Sequence, residues 1–173
     1  GKEGAFITKA TAQLMRDFGC VQSPINAYML NLGLESLHVR MARHCENGQA
    51  VAEFLASHPK IAYVNYCGLP DDKYHAVAEK YLPNGSCGVV SFGVKGGREA
   101  AAAFMGHLKI AAIETHVADA RTCCLHPASS THRQMNDEQL IAAGVQPDLV
   151  RMSCGLEDKN DLIHDIAQAL DQI

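Results

Sequence analysis

Ser23 followed by Pro24, ahead of apolar positions recurring at Ala27, Leu30, Leu34, Leu37, Met41, Val51, Phe54 and Leu55, most constrains how this chain folds. A serine side chain accepts from one of the first unpaired N–H groups of a helix. Proline suits the first helical position because the N–H it lacks has no partner there anyway. Apolar residues returning every three or four positions give the helix one buried stripe. The pattern predicts a single helix of about 30 residues, with Gly33 and Gly48 as the places where it would bend. In a chain of 173 residues, so long a helix reads as a spine joining two parts of a larger protein.

Ile7, Ala10, Leu14 and Met15 predict a shorter helix before the spine, stopped at Gly19. Beyond His58-Pro59 the periods change. Ile61–Tyr66 alternates as a strand, Gly68–Asp72 turns, and Lys73–Tyr81 reads as a helix. Cys87–Phe92 is a strand closed by Gly93, and Gly96-Gly97 opens a helix over Arg98–His107. Lys109–Ile113 and Thr122–Leu125 are short strands, and Asn136 caps a helix ended by Gly144. Leu149–Cys154 is the last strand, and Asp158 caps the final helix, which runs to Leu170. This order predicts an α+β fold: a small, mostly antiparallel sheet covered by helices on one face, preceded by the long spine helix. The expected division is a helical arm and spine over residues 1–58, then an α/β domain over residues 59–173.

Composition removes several classes of function. The net charge is −4, with 15 basic and 19 acidic residues interleaved, so no basic stripe offers itself to nucleic acid. No apolar run approaches the length of a membrane span. The N-terminal Gly1-Lys2-Glu3-Gly4 does not resemble a signal peptide and begins as if cut from something longer. Seven cysteines without a C-x-x-C pair argue against both a disulfide framework and a zinc ribbon, and fit reduced, cytoplasmic thiols. None of the nine histidines forms H-x-x-x-H, so no metal centre is expected. G-x-G-x-x-G, P-loop, G-x-S-x-G and H-E-x-x-H motifs are absent. Gly93–Gly97 is explained by a strand-to-helix turn, with an anion at the helix start as the alternative. None of the eight lysines lies in a stretch that reads as buried, so a catalytic lysine is not evident.

Two segments could carry chemistry. Asp148–Asp158 places Arg151 between a hydrophobic strand and the start of the last helix. Its guanidinium offers paired donors matching a carboxylate, with a surface salt bridge as the alternative. Glu114–Arg121 together with His126–His132 concentrates hydroxyls, histidines and charges on loops, which suits a small polar ligand or an ordinary solvated loop equally.

Several of these segments recur together in order. Ser23–Ala27 with Gly33–Leu37, Arg40–Asn47, His126–Ser129 with Thr131-His132, Ala143–Val145, and Leu149–Asp158 resemble the C-terminal domain of the Cys/Met metabolism family of pyridoxal-phosphate (PLP) enzymes. The likeness runs nearly end to end and is greatest to the O-acetylhomoserine sulfhydrylase branch. It implies the C-terminal domain of a fold-type I PLP enzyme, in which residues 59–173 clamp the substrate. Arg151 would grip the α-carboxylate of the amino-acid substrate. His116 would be a second substrate-binding residue, standing where the lyase and cystathionine-synthase branches carry a serine. PLP would be the cofactor, bound by an upstream domain whose Schiff-base lysine, ring-stacking aromatic and pyridine aspartate have no matching segment here. No catalytic, cofactor-binding or metal-binding residue is therefore expected in this chain, and as a fragment it should be inactive alone. The implied reaction replaces the acetate of O-acetylhomoserine with sulfide or a thiol to form homocysteine in methionine biosynthesis. The implied partners are an amino-acid substrate, the upstream domain and, in the full enzyme, copies of itself in a tetramer. A methionine γ-lyase, a cystathionine synthase or lyase, and a non-catalytic small-ligand module are the alternatives.

Overall fold

Gly19 takes a left-handed backbone, φ 67°, and its N–H closes on the Met15 carbonyl at 2.8 Å, ending the first helical segment where a stop is predicted. In the computed structural model, which describes residues 2–173, that segment is α1 (Ala5–Thr8), a π-helical stretch Lys9–Met15 and α2 (Arg16–Phe18). Ser23 then caps α3 (Pro24–Glu35), its Oγ accepting from the Asn26 N–H at 3.2 Å. The spine is not continuous. Ser36, at φ −103° and ψ 1°, separates α3 from α4 (Leu37–Ser57). Glycine costs a helix about 1 kcal/mol relative to alanine, and a serine hydroxyl competes for helical backbone groups. The break thus falls in the weakest stretch, just after Gly33. Gly48, the other predicted bend, stays helical and serves close packing instead. A Cβ there would lie 2.7 Å from the Cys87 carbonyl oxygen.

The chain forms two compact units, one ending at His38 and one spanning Val39–Ile173. The second continues after α4 with β1 (Ile61–Asn65), α5 (His75–Tyr81), β2 (Val89–Val94), α6 (Gly97–His107), β3 (Ala112–Ile113), β4 (Cys123–Leu125), α7 (Asp137–Ala142), β5 (Leu149–Ser153) and α8 (Lys159–Asp171). The five strands lie in the order β1-β2-β5-β4-β3, antiparallel throughout except for β3 beside β4. Strand alternation sends Val90, Phe92, Val94, Val150 and Met152 to one face. There they form the core with Val51 and Leu55 of α4, Ala101 and Phe104 of α6, and Leu162 and Ile166 of α8. Phe92 and Phe104 meet edge to face, with ring centres 5.8 Å apart. Each such buried side chain contributes about 1.5–3 kcal/mol. The predicted α+β architecture, a mostly antiparallel sheet with one helical face, is the one observed.

Two strands depart from prediction. β2 runs through Gly93 to Val94, because Gly93 makes room for the Tyr63 ring, into which a Cβ would run. β3 keeps only Ala112 and Ile113 of the expected Lys109–Ile113. The N–H groups of Lys109, Ile110 and Ala111 instead donate to the buried Asp165 carboxylate at 2.8, 2.9 and 3.1 Å. The end of α8 is tied down by Lys60, whose Nζ donates to the Leu170 and Ile173 carbonyls.

Candidate functional site

The alternation that buries Val150 and Met152 sends Arg151 to the opposite, open face of the sheet. It sits on the central strand, with Ser91 of β2 on one side and Leu125 of β4 on the other, and Asn65 of β1 lies beyond Ser91. Arg151 is half-buried. Its Nη2 donates to the Thr115 carbonyl at 2.8 Å. Arg16, Arg43, Arg98 and Arg121 each meet a carboxylate, whereas Arg151 joins no ion pair among the described residues. One donor is thus fixed by a neutral oxygen, and the remaining guanidinium N–H groups and the full charge stay available to an anion. Beside this row lies a hollow of about 620 Å³ lined by Tyr63, Asn65, Ser91, Gly144, Gln146 and Leu149.

The Thr115 carbonyl is held in place by the segment that carries Arg151. Ser153 Oγ accepts from the Ala118 N–H at 3.0 Å, and Leu156 N–H donates to the Ala120 carbonyl at 2.8 Å. The Glu157 carboxylate accepts from the Thr122 N–H at 2.7 Å and from the Thr122 hydroxyl at 2.8 Å. That same hydroxyl accepts from the Gly155 N–H at 2.8 Å. Gly155 has to be glycine, since a Cβ would run into the Ala120 carbonyl oxygen. From the other side, α4 grips the turn. His44 Nδ1 donates to the Cys154 carbonyl at 2.7 Å, and Asn47 Nδ2 donates to the Gly155 and Glu157 carbonyls at 2.9 Å each. None of Thr122, Glu157, His44 or Asn47 stands out in the sequence as functional. The available signal is a polar residue at an otherwise apolar position, as at His44 and Asn47 on the buried side of α4.

His116 follows Thr115 directly, one residue along the chain from the carbonyl that Arg151 meets. Its exposed ring places Nδ1 2.9 Å from Glu114 Oε2 and 3.7 Å from Asp119 Oδ2. Arg121 reaches the other Glu114 oxygen at 3.4 Å. The Arg121 N–H bonded to Asp119, and then the neighbouring His116 and Arg121 charges, hold the Asp119 carboxyl below its usual range. Ala118 takes a left-handed φ of 59°, uncommon for a residue with a side chain, where this loop turns back on itself.

Within the predicted His126–His132 cluster, His126, Ser129 and Ser130 are spent on structure, and Thr131 and His132 bond each other at the surface. Buried His126 donates from Nε2 to the Pro147 carbonyl at 2.8 Å and sets Nδ1 2.9 Å from Ser129 Oγ. Burial pushes its pKa below that of an ordinary histidine. Arg98 ties the following turn to α6 through Asp137, the Ala128 carbonyl and the Met135 carbonyl. No helix of the described residues is long and apolar enough to cross a membrane. All seven cysteines are free.

Comparison with known proteins places this geometry in a lineage. A sequence profile of the Cys/Met metabolism PLP-dependent enzymes matches residues 2–171. The chain is 45% identical over 170 residues to an O-acetyl-L-homoserine sulfhydrylase of Leptospira meyeri, covering 98% of this chain and 38% of that protein. It is 42% identical over 167 residues to a homocysteine synthase of Schizosaccharomyces pombe, covering 96% of this chain and 39% of that one. A crystal structure from Campylobacter jejuni, assigned as an O-acetylhomoserine (thiol)-lyase and containing N'-pyridoxyl-lysine-5'-monophosphate, superposes with a TM-score of 0.87 at 37% identity. It matches 96% of this chain and 40% of that one. The chain thus spans about two fifths of the length of these relatives.

Proposed function

The chain belongs to the Cys/Met metabolism family of PLP-dependent enzymes, and from that premise we propose that it is the substrate-holding part of an O-acetylhomoserine sulfhydrylase. Arg151 binds the α-carboxylate of O-acetylhomoserine while acetate is replaced by sulfide or a thiol to give homocysteine. One observation carries this reading: a half-buried guanidinium on the central strand, oriented by the Thr115 carbonyl and left without a carboxylate of the chain itself. Held there, the substrate's reacting carbons keep one position relative to the rest of the enzyme. His116 lines the same loop as a second substrate contact. Glu114 already engages its Nδ1, so Nε2 is the atom left for the ligand.

We propose that PLP is seated outside this chain: none of the eight lysines is buried, and Lys60, Lys95 and Lys159 spend their ammonium groups on Leu170 and Ile173, on Pro59 and on Glu46. Accordingly no step through the cofactor is assigned to this chain. The proposal places PLP in an upstream domain of the same enzyme, with residues 59–173 as the clamp, residues 1–58 as its connection, copies of the enzyme as partners and the cytoplasm as the setting.

The test is Arg151→Ala in the full-length enzyme. Losing one side of a buried charge pair costs about 2–5 kcal/mol, so kcat/KM for O-acetylhomoserine should fall about 30- to 4,000-fold. The unfolding temperature should stay close to wild type, because Arg151 is half-buried and its side chain makes one hydrogen bond among the described residues. Arg151→Lys should recover part of the loss. An Arg151→Ala enzyme with wild-type kinetics for the amino acid refutes the assignment.

A further inference from the structure

The substrate-binding roles proposed for Arg151 and for His116 Nε2 leave unused Glu114, Cys123 and the other nitrogen of His116 at the β3–β4 edge. Glu114, His116 and Cys123 each offer one ligand atom there, and the three atoms lie within 4.8 Å of one another. The individual approaches are 2.9 Å from His116 Nδ1 to Glu114 Oε2 and 4.0 Å from Cys123 Sγ to the same oxygen, with Asp119 Oδ2 3.7 Å from His116 Nδ1. Three chain features bring them together. Parallel pairing sets Ala112 opposite Cys123 and lets Glu114 N–H bond the Cys124 carbonyl, so Glu114 emerges beside the thiol. The left-handed turn at Ala118 returns Asp119 to His116. Arg121 occupies Glu114 Oε1, which orients the carboxylate and leaves Oε2 as its second oxygen.

We propose that Glu114, His116 and Cys123, with Asp119 as a fourth ligand, bind one divalent cation of the zinc class. Tetrahedral bonds of about 2.0–2.3 Å put ligand atoms about 3–4 Å apart, so Glu114, His116 and Cys123 close onto such an ion with side-chain shifts of about an ångström, and Asp119, 3.7 Å from His116 Nδ1, turns in to complete the shell. The sulfur and imidazole donors select a borderline transition metal over calcium or magnesium, which prefer all-oxygen shells. Metal binding displaces the Cys123 thiol proton to solvent. It also moves the His116 proton from Nδ1 to Nε2, or releases it if the ring is charged, so His116 presents Nε2–H as a donor. Arg121 is the outer-shell partner that fixes the carboxylate. The inference does not rest on the substrate reading: Arg151 supplies no ligand, and His116, the one residue the two share, meets the metal through Nδ1 and the substrate through Nε2.

Titrating the full chain with Co²⁺ under reducing conditions tests the site by direct spectroscopy. One equivalent should bring in thiolate-to-cobalt absorption and intense tetrahedral visible bands, both displaced by one equivalent of Zn²⁺. Cys123→Ser should abolish the thiolate band, while Cys45→Ser keeps it. Outer-shell changes alone cost about 10- to 100-fold in affinity, so Glu114→Gln, which removes a ligand from the more accessible side, should weaken cobalt at least that much. If Cys123→Ser does not fold, Glu114→Gln decides. A chain without a stoichiometric band, a band surviving Cys123→Ser, or wild-type affinity in Glu114→Gln each overturns the site.

Discussion

Thr122→Val tests whether the loop beneath the arginine is fixed by a buried polar knot. Valine matches threonine in shape, so the change removes a hydroxyl and leaves the packing in place. Thr122 is fully buried, and its Oγ1 does two things: it donates to Glu157 at 2.8 Å and accepts from the Gly155 N–H at 2.8 Å. A hydrogen bond to a charged group contributes about 1.5–3 kcal/mol, and a buried donor left unpaired costs about 1–3 kcal/mol. The two together predict a loss of about 2.5–6 kcal/mol, a large share of the roughly 5–15 kcal/mol available to a domain. Urea unfolding followed by circular dichroism should show the midpoint falling by about 1.3–3 M at a slope near 2 kcal/mol/M, with that slope unchanged. Thr122→Ser keeps the hydroxyl and should return most of the loss. In the full-length enzyme, Thr122→Val should also raise KM for the amino acid, because the Thr115 carbonyl that orients Arg151 belongs to the loosened loop. A cost below about 1 kcal/mol, or Thr122→Ser as damaging as Thr122→Val, refutes the reasoning.

Two further outcomes follow from burial. Burial holds the His126 pKa below its unfolded value, so the unfolded chain takes up the proton first and stability declines as pH falls below about 6.5. Urea midpoints between about pH 8 and pH 5 should fall more steeply for wild type than for His126→Gln, by at most about 1.4 kcal/mol per pH unit, and parallel profiles would refute this. Burial also pushes the Cys154 thiol up to about 12 and raises the Cys124 thiol as well, so neither should react with a thiol reagent until the chain unfolds, whereas exposed Cys20 reacts in the native state. Mass mapping that finds Cys154 or Cys124 labelled under native conditions would contradict the burial seen here.

Local signals were legible in the sequence where their causes are local. The Ser23-Pro24 start, the Asn136 cap and Asp158 before α8 each depend on residues within three positions, and each forms as read, with Gln139 completing a capping box the structure adds at Asn136. Misreadings occur where a distant residue decides. Gly93 reads as a strand stop because the Tyr63 ring it accommodates is thirty positions away. Lys109–Ala111 reads as strand because Asp165, which takes their three N–H groups, lies far downstream on the buried side of α8. Among the candidate site residues, Arg151 was legible as a polar residue alternating with apolar neighbours. What distinguishes it from a salt-bridge arginine, the Thr115 carbonyl in place of a carboxylate, is a tertiary fact.

Under the proposed role of Arg151, that substitution of carbonyl for carboxylate explains why grip and support would share one segment. A carboxylate partner would neutralise the guanidinium, and an incoming substrate would have to displace it, giving back much of the attraction it gains. A carbonyl orients the same guanidinium and leaves its charge uncompensated, but only if the loop carrying that carbonyl cannot move. The bonds fixing that loop come from Ser153, Leu156 and Glu157, within six positions of Arg151, with Gly155 allowing the close approach. A shift in the closing turn therefore moves the brace relative to Arg151, which β2 and β4 hold in the sheet, and the proposed clamp loses its internal geometry. Damage to the turn should accordingly raise KM for the amino acid well before it unfolds the sheet.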